Sequence, residues 1–260
     1  MDKNNYKTIL FAATIVLMIS AIILIFFYAP IPIQYGERGI GEDSQGNSIF
    51  LSTEAQWENY KSSFYIFYFH MPITITKYIA FFFVLIFSIL YLRNKQQKWD
   101  IKAAASAQVG VIFAGVTLIT GSLWAGVAWN SYWPQGNLRL QSSLILFLIY
   151  LGYLSIRQAI PEPEKRARLS VVFGIMGFIT VPISIMSIRL WALGIEIEQG
   201  IFDHPDLFGP EGSITGNVII FPLLVNMTAF ILMCISLIIY KIDNMNMEED
   251  LMVAKMEKGV

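Results

Sequence analysis

The sequence predicts an all-α, polytopic membrane protein with six transmembrane helices and both termini cytoplasmic. Three observations carry that expectation. The 260 residues are 55% hydrophobic and only 14% charged, where a soluble domain carries about a quarter charged residues. The mean hydropathy is +0.57, and the apolar residues gather into six runs close to the roughly 20 residues that cross about 30 Å of hydrocarbon as helix. Finally, 13 of the 18 Lys and Arg residues fall on one side: Lys3, Lys7, Arg93, Lys95, Lys98, Lys102, Arg157, Lys165, Arg166, Arg168, Lys241, Lys255 and Lys258. Arg38, Lys61, Lys77, Arg139 and Arg189 are left to the other side and its flanks. That skew sets the orientation.

The spans are expected at about 8–29, 64–92, 103–123, 141–159, 169–190 and 217–240, within one six-helix unit over 1–242, followed by a short cytoplasmic tail over 243–260. Ile9–Ala29 is too long for a cleaved signal peptide and has no small-x-small site before Pro30, so it reads as a retained span. The outer segment 30–62 opens on Pro30-Ile31-Pro32 and passes through a Gly-rich stretch, 36–46, expected to be irregular. Thr53 and Gln56 have capping-box spacing and start a helix that runs into the second span. That span carries Tyr65, Tyr68, His70 and Pro72 in its first third, where the proline removes a helix hydrogen bond. The tail, with Leu251, Met252 and Met256 among mixed charges, reads as a marginal surface helix.

Several classes of chemistry are excluded. A net charge of −1 says nothing by itself about nucleic acid or acidic partners, and no basic cluster argues for either. The single cysteine, Cys234, gives neither a disulfide framework nor a Cys-x-x-Cys-His haem attachment. There is no phosphate-cradling Gly-rich loop, no Ser/His/Asp set and no nucleotide site, so any ATP dependence must come from a partner chain.

Two features remain. His70 and His204 are the only histidines and both belong to the outer side. Ionisable groups at membrane depth are costly and default to function. A lone histidine is more often a plain hydrogen-bonding residue, but two on one face suit axial ligation of a haem iron and fit four-ligand structural zinc poorly. The second feature is the aromatic segment between the third and fourth spans, with Trp124, Trp129, Tyr132 and Trp133. An interfacial belt accounts for one or two such rings and less easily for four within ten residues. On a continuous helix Trp129 and Trp133 would be i,i+4 neighbours, a flat shelf for a porphyrin face. Arg139 and Arg189 flank the region and suit bidentate pairing with haem carboxylates, or else ordinary snorkelling at a helix end.

The run Gly121-Ser-Leu-Trp124, then Trp129, Tyr132-Trp133 and Arg139-Leu140, followed by Leu144–Tyr153, resembles the tryptophan-rich "WWD" signature of the cytochrome c assembly protein family. With the six spans and Tyr68-Phe-His70-Met-Pro72, it looks most like the haem exporter protein C (CcmC) group of that family. The resemblance covers about 60–240. It implies a haem chaperone of c-type cytochrome maturation in the cell inner (cytoplasmic) membrane. Haem, b-type and non-covalent, would be held at the outer face by two histidines and the Trp-rich segment, then passed to a haem carrier protein. An ABC-type ATPase and membrane subunits of the maturation complex are the implied partners, together with the lipid bilayer. In this alignment His70 matches the first family histidine, Trp124, Trp129, Tyr132 and Trp133 the aromatic positions, and Arg139 the arginine. The chain departs where the family has a further Trp-Asp: here Pro134-Gln-Gly-Asn137 intervenes. His204 is separated from Arg189-Leu-Trp191 by an acidic run, 192–203. Readings that stay open are a haem lyase-type enzyme, a small b-type membrane cytochrome and a solute transporter.

Overall fold

Six long helices account for nearly all of the residues that the computed structural model describes, which are 3–29, 40–42, 48–50, 54–191 and 217–257. In chain order they are α1 (Lys3–Phe27), α2 (Glu54–Asn94), α3 (Gln97–Trp129), α4 (Leu138–Ala159), α5 (Pro163–Trp191) and α6 (Asn217–Glu257). Each holds a stretch long and apolar enough to cross a membrane. All six predicted spans are therefore present, and the chain is a multi-pass membrane protein. Helix α2 starts at Glu54, where the Thr53/Gln56 spacing puts a helix start, and runs unbroken through Pro72. The tail is not a separate element, because α6 continues without interruption to Glu257.

One expectation needs correcting. Within the Gly-rich stretch expected to be irregular, β1 (Ile40–Glu42) pairs antiparallel with β2 (Ser48–Phe50), placing Ile40 opposite Phe50. Ile40, Ile49 and Phe50 favour extended backbone.

Helix α2 lies at the centre, packing on α3, α5 and α6, while α1 packs mainly on α6. The closest approach is between α2 and α3. Along α3 small residues recur as Ala103, Ala107, Gly110, Ala114, Thr117 and Gly121, alternating steps of four and three. That rhythm keeps one narrow face toward a neighbour, and small side chains let helix backbones come close. Ala103, Ala107 and Ala114 are buried in one cluster with Phe81 and Val84 of α2. A Cβ at Gly110 would lie 2.6 Å from the Phe81 ring, so only glycine fits. The Phe81 ring in turn stacks on Tyr150 of α4, with centroids 3.8 Å apart.

Two polar contacts fix one end of the bundle. Near the α2–α3 turn, fully buried Asp100 of α3 takes both guanidinium nitrogens of Arg157 from α4, at 2.5 and 2.8 Å. Lys7 pairs with Asp243, which sets the start of α1 beside the late part of α6. Both termini therefore lie at the same end of the bundle, as an even number of crossings requires.

The third contact bears on the site. Pro72 has no N–H, so the Tyr68 carbonyl one turn earlier loses its helical partner. In a bilayer such a group must be satisfied from within the protein. Asn226 of α6, itself fully buried, donates its side-chain amide to that carbonyl. Asn226→Leu should lower stability by about 1–3 kcal/mol, the cost of an orphaned buried acceptor. Pro72→Ala in the same chain should recover most of that loss by restoring the N–H of α2. Thermal unfolding of the four variants in detergent reads the coupling; additive effects would mean the amide does not serve this carbonyl.

Candidate functional site

A cleft of about 680 Å³, counting its open mouth, lies between α2, α3, α4 and α5 at the end of the bundle opposite the α2–α3 turn. His70, Trp124 and Arg139, three of the eight site residues singled out in the sequence, line it together.

His70 sits on α2 two residues before Pro72, and its orientation follows from a chain of hydrogen bonds. Its Nδ1 lies 2.8 Å from Thr120 Oγ1 of α3. The Thr120 hydroxyl has one proton, which it gives to the Val116 carbonyl at 2.8 Å. Toward the histidine it can only accept, so Nδ1 carries the proton and Nε2 the lone pair. Thr74 Oγ1 stands 3.4 Å from Nε2, the outer limit of a hydrogen bond. This is the arrangement of metal-ligating histidines, in which the non-ligating nitrogen donates to a second group that fixes tautomer and ring angle. Across the ring, a Cβ at Gly121 would approach His70 Cε1 to 3.0 Å, so α3 needs glycine there to leave the imidazole its room.

The aromatic segment is not one helix. Helix α3 ends at Trp129 because Asn130 adopts left-handed backbone, φ 54° and ψ 28°. Pro134 cannot donate to a continued ladder, and Gly136 at φ 81° turns the chain back. Asn137 then opens α4, its side chain accepting the Arg139 and Leu140 N–H groups at 3.1 and 3.2 Å. The expected i,i+4 shelf of Trp129 and Trp133 is therefore absent, since the two residues lie on either side of a helix break. Trp124 is 3% exposed and packs with Tyr68, Phe67, Ile25 and Leu223 beside the cleft. Tyr132 and Trp133 are on the surface, 65% and 38% exposed, with the Tyr132 ring lying against Gly126. Ser122 Oγ donates to the Tyr132 carbonyl at 2.5 Å and ties this turn back to α3. The Pro134-Gln-Gly-Asn137 departure from the family pattern is thus a turn and a helix cap.

Arg139 stands in the first turn of α4 with its side chain half-buried on the cleft wall. Arg189 belongs to the end of α5, but its side chain, that of Trp129 and all of His204 lie outside the described residues. Among the described residues, no group of three or more His, Cys, Asp or Glu converges.

The sequence reading missed Thr120, Asn137 and the polar wall formed by Tyr78, Ser143 and Ser184, and it placed Lys77 at a flank. Tyr78 OH and Ser184 Oγ are 2.9 Å apart, and Lys77 Nζ donates to Ser143 Oγ at 3.1 Å. A lysine in the middle of an apolar run was the available signal. Asn137→Ala should cost about 1 kcal/mol through loss of the α4 cap. Thermal unfolding checks this against Asn137→Ser, which keeps an acceptor and should stay close to the parent.

With this geometry in view, the comparisons with known proteins are specific. A family profile described as "Heme exporter protein C" matches residues 46–257. Similar relatives of that name occur in Paracoccus denitrificans, 28% identical over 71% of this chain and 74% of the relative. The one in Bradyrhizobium diazoefficiens is 34% identical over 53% and 49%, and that in Escherichia coli K12 is 25% identical over 50% and 53%. The matches thus span from about half to three quarters of those relatives' lengths. Since the profile covers most of the chain, including both central motifs, the protein belongs to the heme exporter protein C family.

Proposed function

We propose that this protein is a haem-binding membrane chaperone of c-type cytochrome maturation. The observation that carries the reading is His70: its ring is oriented through Nδ1, and it lines, with Trp124 and Arg139, an open, mostly apolar cleft. The family supports it, since the relatives are named for haem export.

The residues fit the group. A neutral imidazole with its lone pair on Nε2 is a donor for iron, and a buried indole offers an apolar surface to a porphyrin. The Arg139 guanidinium suits a haem carboxylate. Bound haem, b-type and non-covalent, supplies no chemistry to this chain beyond the open coordination that histidine fills, so the role is holding and presenting rather than catalysis. In the full reading His204 is the second axial ligand, and Trp129, Tyr132, Trp133 and Arg189 complete the surround. Haem faces the outer side of the inner (cytoplasmic) membrane, both termini are cytoplasmic, and the 243–257 end of α6 projects there. A haem carrier protein takes the cargo. An ABC-type ATPase and its membrane subunits act as partners, because the sequence holds no nucleotide site of its own.

Detergent-purified protein should show the Soret band of a histidine-ligated haem, and His70→Ala and His204→Ala should each lose or shift it. Wild-type spectra in both variants would rule out these ligands. Thr120→Val, which removes the acceptor for Nδ1, should weaken haem affinity about 10–100-fold while Thr120→Ser stays near the parent. Haem titration followed by absorbance separates these outcomes.

A further inference from the structure

Among the described residues, two charged side chains, Asp100 and Lys77, are almost fully buried, with opposite fates. Asp100 is matched by Arg157. Lys77 of α2 is 1% exposed, yet no described carboxylate lies within ion-pair distance of it. Its ammonium gives one of three donors to Ser143 Oγ at 3.1 Å and sits 4.7 Å from the centroid of the Tyr78 ring. A cation in this setting is costly unless an anion joins it.

The surroundings say where that anion comes from. Ser143 and Tyr78, the two groups Lys77 touches, line the same cleft as His70 and Arg139. Beside them, Tyr78 OH meets Ser184 Oγ at 2.9 Å, and Ser142 Oγ donates to Ser184 Oγ at 3.4 Å. The wall is thus hydroxyl-lined, backed by a positive charge, with no acid of its own among the described residues. Lys77 is seven residues after His70, two helical turns, so it lies on nearly the same face of α2 about 10 Å deeper. Ser143 lies one turn below Arg139 on α4, which spaces the two cationic positions about 6 Å apart along that helix.

We propose that Lys77, acting with Ser143, is an anion subsite that receives one carboxylate of the porphyrin, while Arg139 receives the other. This rests on the haem reading above. A porphyrin carries both carboxylates on one edge, so the subsite sets which edge of the macrocycle points into the membrane. It also selects the free diacid over neutral porphyrins of the same shape.

The test is absorbance titration of the detergent-purified full chain with haem and with haem dimethyl ester, whose carboxylates are blocked. The parent should bind the diacid about tenfold or more tightly than the ester, the scale of one charge-assisted hydrogen bond. Lys77→Met should lose about tenfold for the diacid and leave the ester unchanged, so the preference falls about tenfold to the share that Arg139 supplies. Lys77→Arg should keep it, and Ser143→Ala should reduce it in part. If Lys77→Met keeps the parent's diacid-to-ester ratio, or weakens both ligands equally, the subsite is refuted and Lys77 is a packing residue. Should Lys77→Met fail to fold, the Ser143→Ala ratio decides alone, an unchanged value counting against the proposal. Parent protein giving no histidine-ligated spectrum with either porphyrin would overturn the haem reading itself, and this subsite with it.

Discussion

The close approach of α2 and α3 is the constraint from which the rest follows. Between membrane helices there is little hydrophobic gain to collect, because lipid is as apolar as leucine, so backbone proximity and dispersion must supply the contact. The small residues of α3, from Ala103 to Gly121, provide it, and Phe81 and Val84 fill the seam. This contact puts Thr120 within hydrogen-bonding distance of His70 and Gly121 against the imidazole. A bulkier α3 would move the threonine away from the ring and close the space the histidine occupies. Packing at the seam and chemistry at the cleft are one geometric fact.

Around that seam the site is built from interruptions of helix, each satisfied locally. Pro72 frees a carbonyl, and Asn226 takes it. Asn130 ends α3, and Asn137 starts α4 by capping two N–H groups. Because α4 starts only at Leu138, Arg139 is delivered to the mouth of the cleft in the first turn. Had α3 continued through the aromatic segment, the cleft would have no floor on the α4 side and Arg139 would stand well outside the bundle. The break costs the tryptophan shelf that helical spacing promises and yields the cleft instead.

Much of this was readable in the chain, and the misses have physical causes. The six spans follow from hydropathy alone, and the unbroken start of α2 at Glu54 from capping spacing. His70, Trp124 and Arg139 were found because histidine, tryptophan and arginine are scarce in hydrocarbon and so stand out. The 4-3-4-3-4 rhythm of small residues on α3 was equally visible, but alanine and glycine carry no chemical label, and their meaning depends on the neighbour they face. Thr120 was illegible for the same reason: threonine in a membrane helix usually bonds its own backbone, and only the approach of α2 gives this one a second task. The gap between the third and fourth spans is legible in the hydropathy, whereas the place where α3 stops depends on Asn130, Pro134 and Asn137, the stronger local signals. Lys77 reads as a flanking charge from its place in the first third of the second span. Burial is a property of the bundle rather than of the segment.

The described part of the cleft is one-sided in a way that suits a protein that must hold cargo and give it up. Every group there that touches the proposed ligand is set by rigid neighbours: His70 by Thr120, Arg139 by the α4 cap, Lys77 by Ser143. Preorganisation of that kind lowers the entropic cost of binding and raises affinity. Retention this strong would oppose transfer if both faces of the porphyrin were held alike. The second proposed ligand, His204, lies outside the described residues, so the described groups account for a hold on one face only.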